Sequence, residues 1–224
     1  MKRNFSKTLV NIVLLLGLLV GQAASAPTPL TVESFLSELR KANDSLEDVW
    51  AKATLDLNIV LGILPYTEHL KGTYFYLNPN KHRLEFQDAP SYFDKAPSMF
   101  SWKLPSQEKY RAEIAGPIKQ GAGEVYQLLF RPKAHQSSTL SITCTFDVEN
   151  LRLRQQKTVY RDGGSVDLKF SYWSDSELPV IDRVSAAVAI PTYALTGSAI
   201  ISFSDQAVNK GLDSEVFGPE QEQE

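Results

Sequence analysis

Three histidines, one cysteine and a few acids around turns are the residues here whose types could do chemistry. His69, His82 and His135 lie far apart, and none has a second ligand at the spacing a metal site needs. His69 and His82 flank one predicted hairpin, which suits surface histidines better than metal ligands. Cys144 lacks an intramolecular partner. It sits in the alternating run Leu140 to Phe146, where a lone thiol reads as a small buried hydrophobe. Gly121-Ala122-Gly123 precedes a predicted strand, so it presents no helix N-terminus to a phosphate. Asp175, Glu177 and Asp182 bracket Leu178-Pro179, where acids are normally just solvated. Asn43-Asp44-Ser45 matches a glycosylation sequon, but it falls on a predicted helix. Neither a G-x-S-x-G elbow nor an H-E-x-x-H pair occurs. The chain reads as catalysis-poor, and the expectation is a non-enzyme with no metal and no cofactor.

What the sequence has in excess is apolar surface. It opens with Lys2, Arg3 and Lys7, then an apolar run from Leu9 to Val20, then small residues from Gly21 to Ala26. This is the pattern of a secretory signal peptide spanning 1–26, cut between 23 and 26. The run is too short to span a bilayer comfortably. No cysteine near the cut offers a lipid anchor, so a soluble mature protein is expected. Cleavage removes three bases and no acid, leaving 20 bases against 26 acids, a net charge of −6. A mildly acidic domain without a basic stripe argues against nucleic acid and against charge-driven binding to anionic head groups. The remaining 198 residues suffice for one domain, 27–217. The stretch 218–224, ending EQEQE, reads as a disordered acidic tail.

Two periodicities organise that domain. Thr31 is a plausible N-cap, and Val32, Phe35, Leu39, Ala42, Leu46 and Val49 then recur every three or four residues. The spacing predicts an amphipathic helix of about five turns. From Ala53 the period becomes two, with Leu55, Leu57 and Ile59 on one face. Further strand-like runs follow near 70–77, 82–87, 99–104, 109–114, 124–131, 139–147, 151–160, 165–173, 181–190 and 196–203. Short connections such as Asp162-Gly163-Gly164 favour antiparallel neighbours. One helix and about eleven strands predict an α+β fold: a single strongly curved sheet with the helix packed on it.

The stretch LKGTYFYLNPNKHRLEF, Leu70 to Phe86, poses the central problem. Tyr74, Phe75, Tyr76 and Leu77 place bulky groups on both faces of a strand, whereas a soluble antiparallel sheet keeps one face polar. Val125 to Phe130 and Leu168 to Trp173 do the same. A single helix is too small to cover so broad a sheet. A curled sheet around an apolar cavity resolves the mismatch. Segment 88–105 carries Phe93, Phe100 and Trp102 among Pro90, Pro97 and Pro105. It reads either as an apolar flap over such a cavity or as an irregular edge packed into the core.

These pieces resemble the LolA-like superfamily of periplasmic outer-membrane lipoprotein carriers. The family's glycine, aromatic strand, proline and alternating strand read here as Gly72, Tyr74 to Leu77, Pro79 and Arg83-Leu84-Glu85-Phe86. VYQLLFRPK, ending in Pro132-Lys133, resembles the family's apolar strand. The segment ISFSDQAVNKGLDSEVF, with Asn209, Gly211 and Phe217, is similar to its closing strand and Asn-rich turn. The resemblance implies an unclosed barrel with a helical lid, a periplasmic location and a monomer that holds lipoprotein acyl chains or lipid. It also implies an inner-membrane ABC transporter as donor and an outer-membrane acceptor. Carried over by position, Tyr74, Tyr76, Asn78, Leu84 and Phe86 face the cavity. Leu55, Leu57, Ile59, Tyr74, Tyr76, Leu84 and Phe86 together form a cup. Phe35, Leu39 and Leu46 form its lid, and Phe93, Phe100 and Trp102 shield its mouth. Two departures stand out. Asn78 occupies the place of the arginine that helps close the lid in well-studied carriers. Segment 88–105 replaces the family's Asp-Gly turn and following aromatic strand. Two other uses of the same cup fit the pattern: an RseB-type envelope sensor and an envelope-assembly scaffold.

Overall fold

A computed structural model describes residues 30–78, 81–88, 104–121, 123–174 and 176–217. One helix, α1 (Val32–Asn43), leads into ten strands: β1 (Asp48–Leu61), β2 (Leu64–Leu77), β3 (Lys81–Phe86), β4 (Tyr110–Gln120), β5 (Gly123–Pro132), β6 (Thr139–Asp147), β7 (Leu153–Tyr160), β8 (Ser165–Tyr172), β9 (Ile181–Ile190) and β10 (Leu195–Val208). They form one antiparallel sheet in the order β3-β2-β1-β10-β9-β8-β7-β6-β5-β4. That order is a meander cut and rejoined, with first and last strands paired side by side. Among the described residues pairing stops at β3 and β4, which are the two edges of an unclosed barrel. β3 and β4, consecutive in the chain, thus stand at opposite ends of the strand order.

Ten strands stand where the sequence pattern suggests about eleven. Most of the remaining run, 99–103, lies outside the described residues, as do the signal segment and the tail.

The helix begins where its chemistry dictates. Thr31 Oγ1 accepts from Ser34 N at 3.1 Å, and Thr31 N donates to Ser34 Oγ at 3.1 Å, a reciprocal cap. It ends after 12 residues, not five turns. Asn43 turns back to donate from Nδ2 to Leu39 O at 3.0 Å, and Asp44 closes the last turn. Asn, Asp and Ser compete with the helix by bonding local backbone, so three in a row stop it. Val49, expected on the helical stripe, therefore lies in β1. Its spacing from Leu46 fits a helix, but it also alternates with Ala51 and Ala53 on the inner face.

The first hairpin is longer than the sequence pattern suggests. β1 and β2 are 14 residues each and join at Gly62-Ile63, with Leu61 opposite Leu64. The turn is built of apolar residues, so it carries no polar turn signal; only Gly62, at φ +64°, betrays it. Pro65 is tolerated because β3 pairs only with Gly72–Leu77, leaving that end of β2 an edge.

Candidate functional site

The interior splits into two apolar clusters. On the β1 side, Leu55, Leu70, Tyr74, Tyr76, Phe170, Val184, Ile201 and Phe203 pack together, joined by Leu46 from the loop after α1. On the other side α1 buries Phe35 and Leu39 among Leu128, Phe130, Ile142, Cys144 and Phe146. Phe35 meets Tyr126 and Phe146 edge-on, with centroids 5.4 and 5.2 Å apart. A 12-residue helix covers roughly 18 Å, whereas ten strands span about 45 Å across the sheet. The helix can seal only its own side.

Between the clusters lies a cavity of about 610 Å³. The volume falls within the range of pockets that enclose a small ligand. Leu36 and Leu39 line it from the helix, and Val49, Ala51, Tyr74, Tyr76, Phe130, Phe146, Phe170 and Val180 from the sheet side. Polar members of the lining include Arg40, Asp44, Asn78, His82, Glu108 and Arg152, so an apolar floor meets a polar margin. Leu104 to Glu108, the end of the connection between the two edges, also contribute.

The floor is electrically neutral. Tyr74 is buried, and its hydroxyl lies 2.9 Å from His82 Nδ1. Burial, with Tyr76 beside it, holds the Tyr74 phenol well above its ordinary value. Burial raises Tyr76 as well. Both therefore stay protonated at physiological pH. At the margin, Arg152 Nη2 donates to the carbonyls of Ser176, Glu177 and Leu178 at 3.0, 3.1 and 3.2 Å. Its guanidinium also lies 5.3 Å from the centre of the Tyr172 ring. Arg152 thus pins the β8–β9 loop to one wall.

Of the residues expected to form a cup, Tyr74 and Tyr76 line the cavity, with Leu39 and Leu46 from the expected lid. Phe35 lies instead in the core beneath the helix. Leu55 is fully buried in the β1-side cluster, and Leu57, Leu84 and Phe86 pack against it half-buried. Ile59, also half-buried, sits farther along β1. All seven cup residues share the inner face: Tyr74 pairs with Leu84, and Gly72 with Phe86. Phe93, Phe100 and Trp102 lie outside the described residues. Val49, Ala51 and Arg152 escaped sequence reasoning. Val49 was claimed by the helical stripe, and Arg152 carries no local pattern.

The groups with chemical potential do not converge. His69 Nδ1 is 2.6 Å from Asp56 Oδ1 at an exposed site, His135 is exposed, and only His82 reaches the cavity. Among the described residues, no cluster of His, Cys, Asp and Glu has the arrangement to hold a metal ion. Nor is any described helix long and apolar enough to cross a membrane.

Solved structures share this arrangement. An outer membrane lipoprotein-sorting protein domain from Vibrio parahaemolyticus aligns with a TM-score of 0.58 at 14% identity, over 82% of this chain and 94% of that one. The chain has a LolA-like fold. A DUF1329 family protein from Desulfovibrio piger aligns with a TM-score of 0.50 at 13% identity, over 82% of this chain and 94% of that one. No family model and no curated protein matches the sequence. At such identities the likeness establishes the fold alone.

Proposed function

We propose that this protein is a non-enzymatic periplasmic carrier that shelters acyl chains of lipoproteins or lipids on their way to the outer membrane. The observation that carries the reading is the cavity of about 610 Å³ between α1 and the sheet, with its floor of apolar and aromatic side chains. Acyl chains present nothing polar to read, so a site for them needs apolar area without fixed hydrogen-bond geometry. The aromatic and branched lining supplies that, and the polar margin suits the head of an amphiphile.

The energetics favour a carrier. Each methylene exposed to water costs about 0.8 kcal/mol, so ~15 of them cost on the order of 12 kcal/mol. A cavity that offsets most of this lets a chain cross an aqueous space, and one that offsets less than all of it can still release. The fold shared with a lipoprotein-sorting domain supports the same direction of reading. On this reading the donor is an inner-membrane ABC transporter and the acceptor an outer-membrane receptor, with the protein acting as a monomer.

The test is purification of the mature domain without detergent, organic extraction and mass spectrometry of the extract. Co-purifying lipid or lipoprotein is expected, together with saturable binding of a fluorescent fatty acid that Leu36→Glu weakens at least tenfold. An extract free of lipid, with probe binding indifferent to Leu36→Glu, would count against the carrier.

A further inference from the structure

Far from the cavity, the sheet ends in an apolar tip. The β1–β2 turn reads Val60-Leu61-Gly62-Ile63-Leu64-Pro65, without a polar side chain. Ile63 is 91% exposed, Leu64 67% and Leu61 53%. Beside it the β9–β10 connection, Pro191 to Ala194, presents Tyr193 at 69%. The two are one structure: Leu61 pairs with Leu195, and Gly62 N donates to Ala194 O at 2.8 Å. Cavity-lining Ala51 lies ten residues back along β1, roughly 33 Å away.

The charge pattern is as unusual as the exposure. No charged residue occurs from Leu57 to Thr67, nor from Val184 to Ser204, the two stretches that build this end. Hairpin turns normally carry Asn, Asp or Gly. The acids at its border are engaged: Asp162 in the β7–β8 turn by the Thr192 hydroxyl and Gly164 N, and Glu68 by the Tyr66 hydroxyl.

We infer that this two-turn tip inserts into the interfacial layer of a lipid bilayer. Three observations select a bilayer. The tip exposes Leu61, Ile63, Leu64 and Tyr193 side by side, aliphatic and aromatic groups that an acyl-chain layer can take up. It carries no charge for a low-dielectric layer to desolvate. Its turn backbone is bonded internally, through the β1–β2 and β1–β10 ladders and the Gly62–Ala194 bond, as a water-poor layer demands. Tyr66 and Tyr193 flank the aliphatic turn, side chains that favour the boundary between acyl chains and head groups. Binding at this tip is driven by apolar burial, which separates it from charge-driven attachment. It stands independently of what the cavity holds.

The experiment is flotation of the mature protein with two sets of vesicles, one of phosphatidylcholine alone and one of phosphatidylethanolamine with phosphatidylglycerol. The protein is expected to float with both, and to stay bound in about 1 M salt, where electrostatic attraction is screened within ~3 Å. Ile63→Asp combined with Leu64→Asp should lower partitioning at least tenfold with an unchanged thermal melt, since both side chains are already in water. An Ile63→Trp reporter should shift its emission to the blue on adding vesicles. Leu36→Glu, which acts in the cavity, should float like the wild type. Failure of the wild type to float would overturn the inference. So would binding that survives the double substitution, binding lost in salt, or dimers in sedimentation that the double substitution dissolves.

Discussion

Asp48 and Asn209 hold each other's backbone across the two ends of the domain. Asn209 N donates to Asp48 O at 2.9 Å, while the Asp48 carboxylate accepts from Lys210 N at 3.0 Å and Gly211 N at 2.8 Å. In return, Asn209 Oδ1 accepts from Glu47 N at 2.9 Å, and its Nδ2 donates to Ser45 O at 2.8 Å. Asn209 sits at φ +53°, a left-handed conformation that Asn tolerates better than most residues. The exchange ties the α1–β1 loop to the end of β10, beside the cavity that α1 and Val49 line.

Asn209→Ala removes the side-chain bonds to Glu47 N, Asp48 N and Ser45 O and leaves a left-handed alanine. A loss of about 2 kcal/mol is expected from the hydrogen bonds, read as a lower urea midpoint at unchanged slope. Asp48→Ala should cost at least as much, because Asp48 is buried and two backbone donors lose their acceptor. Equal midpoints for wild type and both variants would show that the exchange does not hold the fold together.

Gly72 makes the second prediction. A Cβ there would lie 2.0 Å from the Glu85 carbonyl oxygen of β3, a backbone atom that cannot swing aside. Gly72→Ala should therefore unpair β3, the shortest strand and one of the two edges. Hydrogen exchange is expected to lose protection across 81–86 while β5–β7 keep theirs. Uniform protection would mean that the edge can shift to accept the methyl group.

How much of this was legible in the sequence varies with the range of the forces involved. Thr31 as cap and Tyr74 with Tyr76 on the inner face follow from rules that act within a few residues. The end of α1 does not. Leu46 and Val49 continue its period, but the Asn43 side chain and the distant Asn209 override it. The β1–β2 turn was hidden for a different reason: apart from Gly62 its residues are apolar, so the hydrophobic pattern runs through it without a polar break. The cavity was legible as an excess of apolar surface, but of its walls only Tyr74, Tyr76, Asn78, Leu39 and Leu46 were. The rest depend on where α1 crosses the sheet, and Arg152 enters only through carbonyls more than 20 residues away.

Arg152 yields a third prediction. Replacing it by Met keeps the apolar stem but removes the charge that three carbonyls of 176–178 share. The β8–β9 loop should lose hydrogen-exchange protection, and the fatty-acid probe should dissociate several-fold faster. Arg152→Lys should restore little, because an ammonium lacks the flat guanidinium face that lies over Tyr172. Full rescue by Lys would reduce Arg152 to a point charge.

The alkaline limb of stability reports on the core beneath the helix. Cys144 is fully buried, and burial pushes its thiol from about 9 up to about 12. In the unfolded chain the thiol ionises near 9, whereas the folded protein keeps it protonated until about 12. Across that window the folded state binds the extra proton, so stability falls as pH rises, by at most ~1.4 kcal/mol per pH unit for this one group. Tyr74 and Tyr172, both raised chiefly by burial, act with the same sign once the pH exceeds their ordinary value of 10. Cys144→Ala removes the first contribution and leaves the tyrosines. Its urea midpoint should fall less steeply than the wild type's between pH 9 and 10, and the two slopes should converge above 12. Native wild-type protein should also react with a thiol reagent at pH 8 only as fast as it unfolds, since no thiolate is available in the core. A rapid native reaction, or parallel slopes for the two proteins, would place Cys144 in contact with water and open the cluster beneath α1.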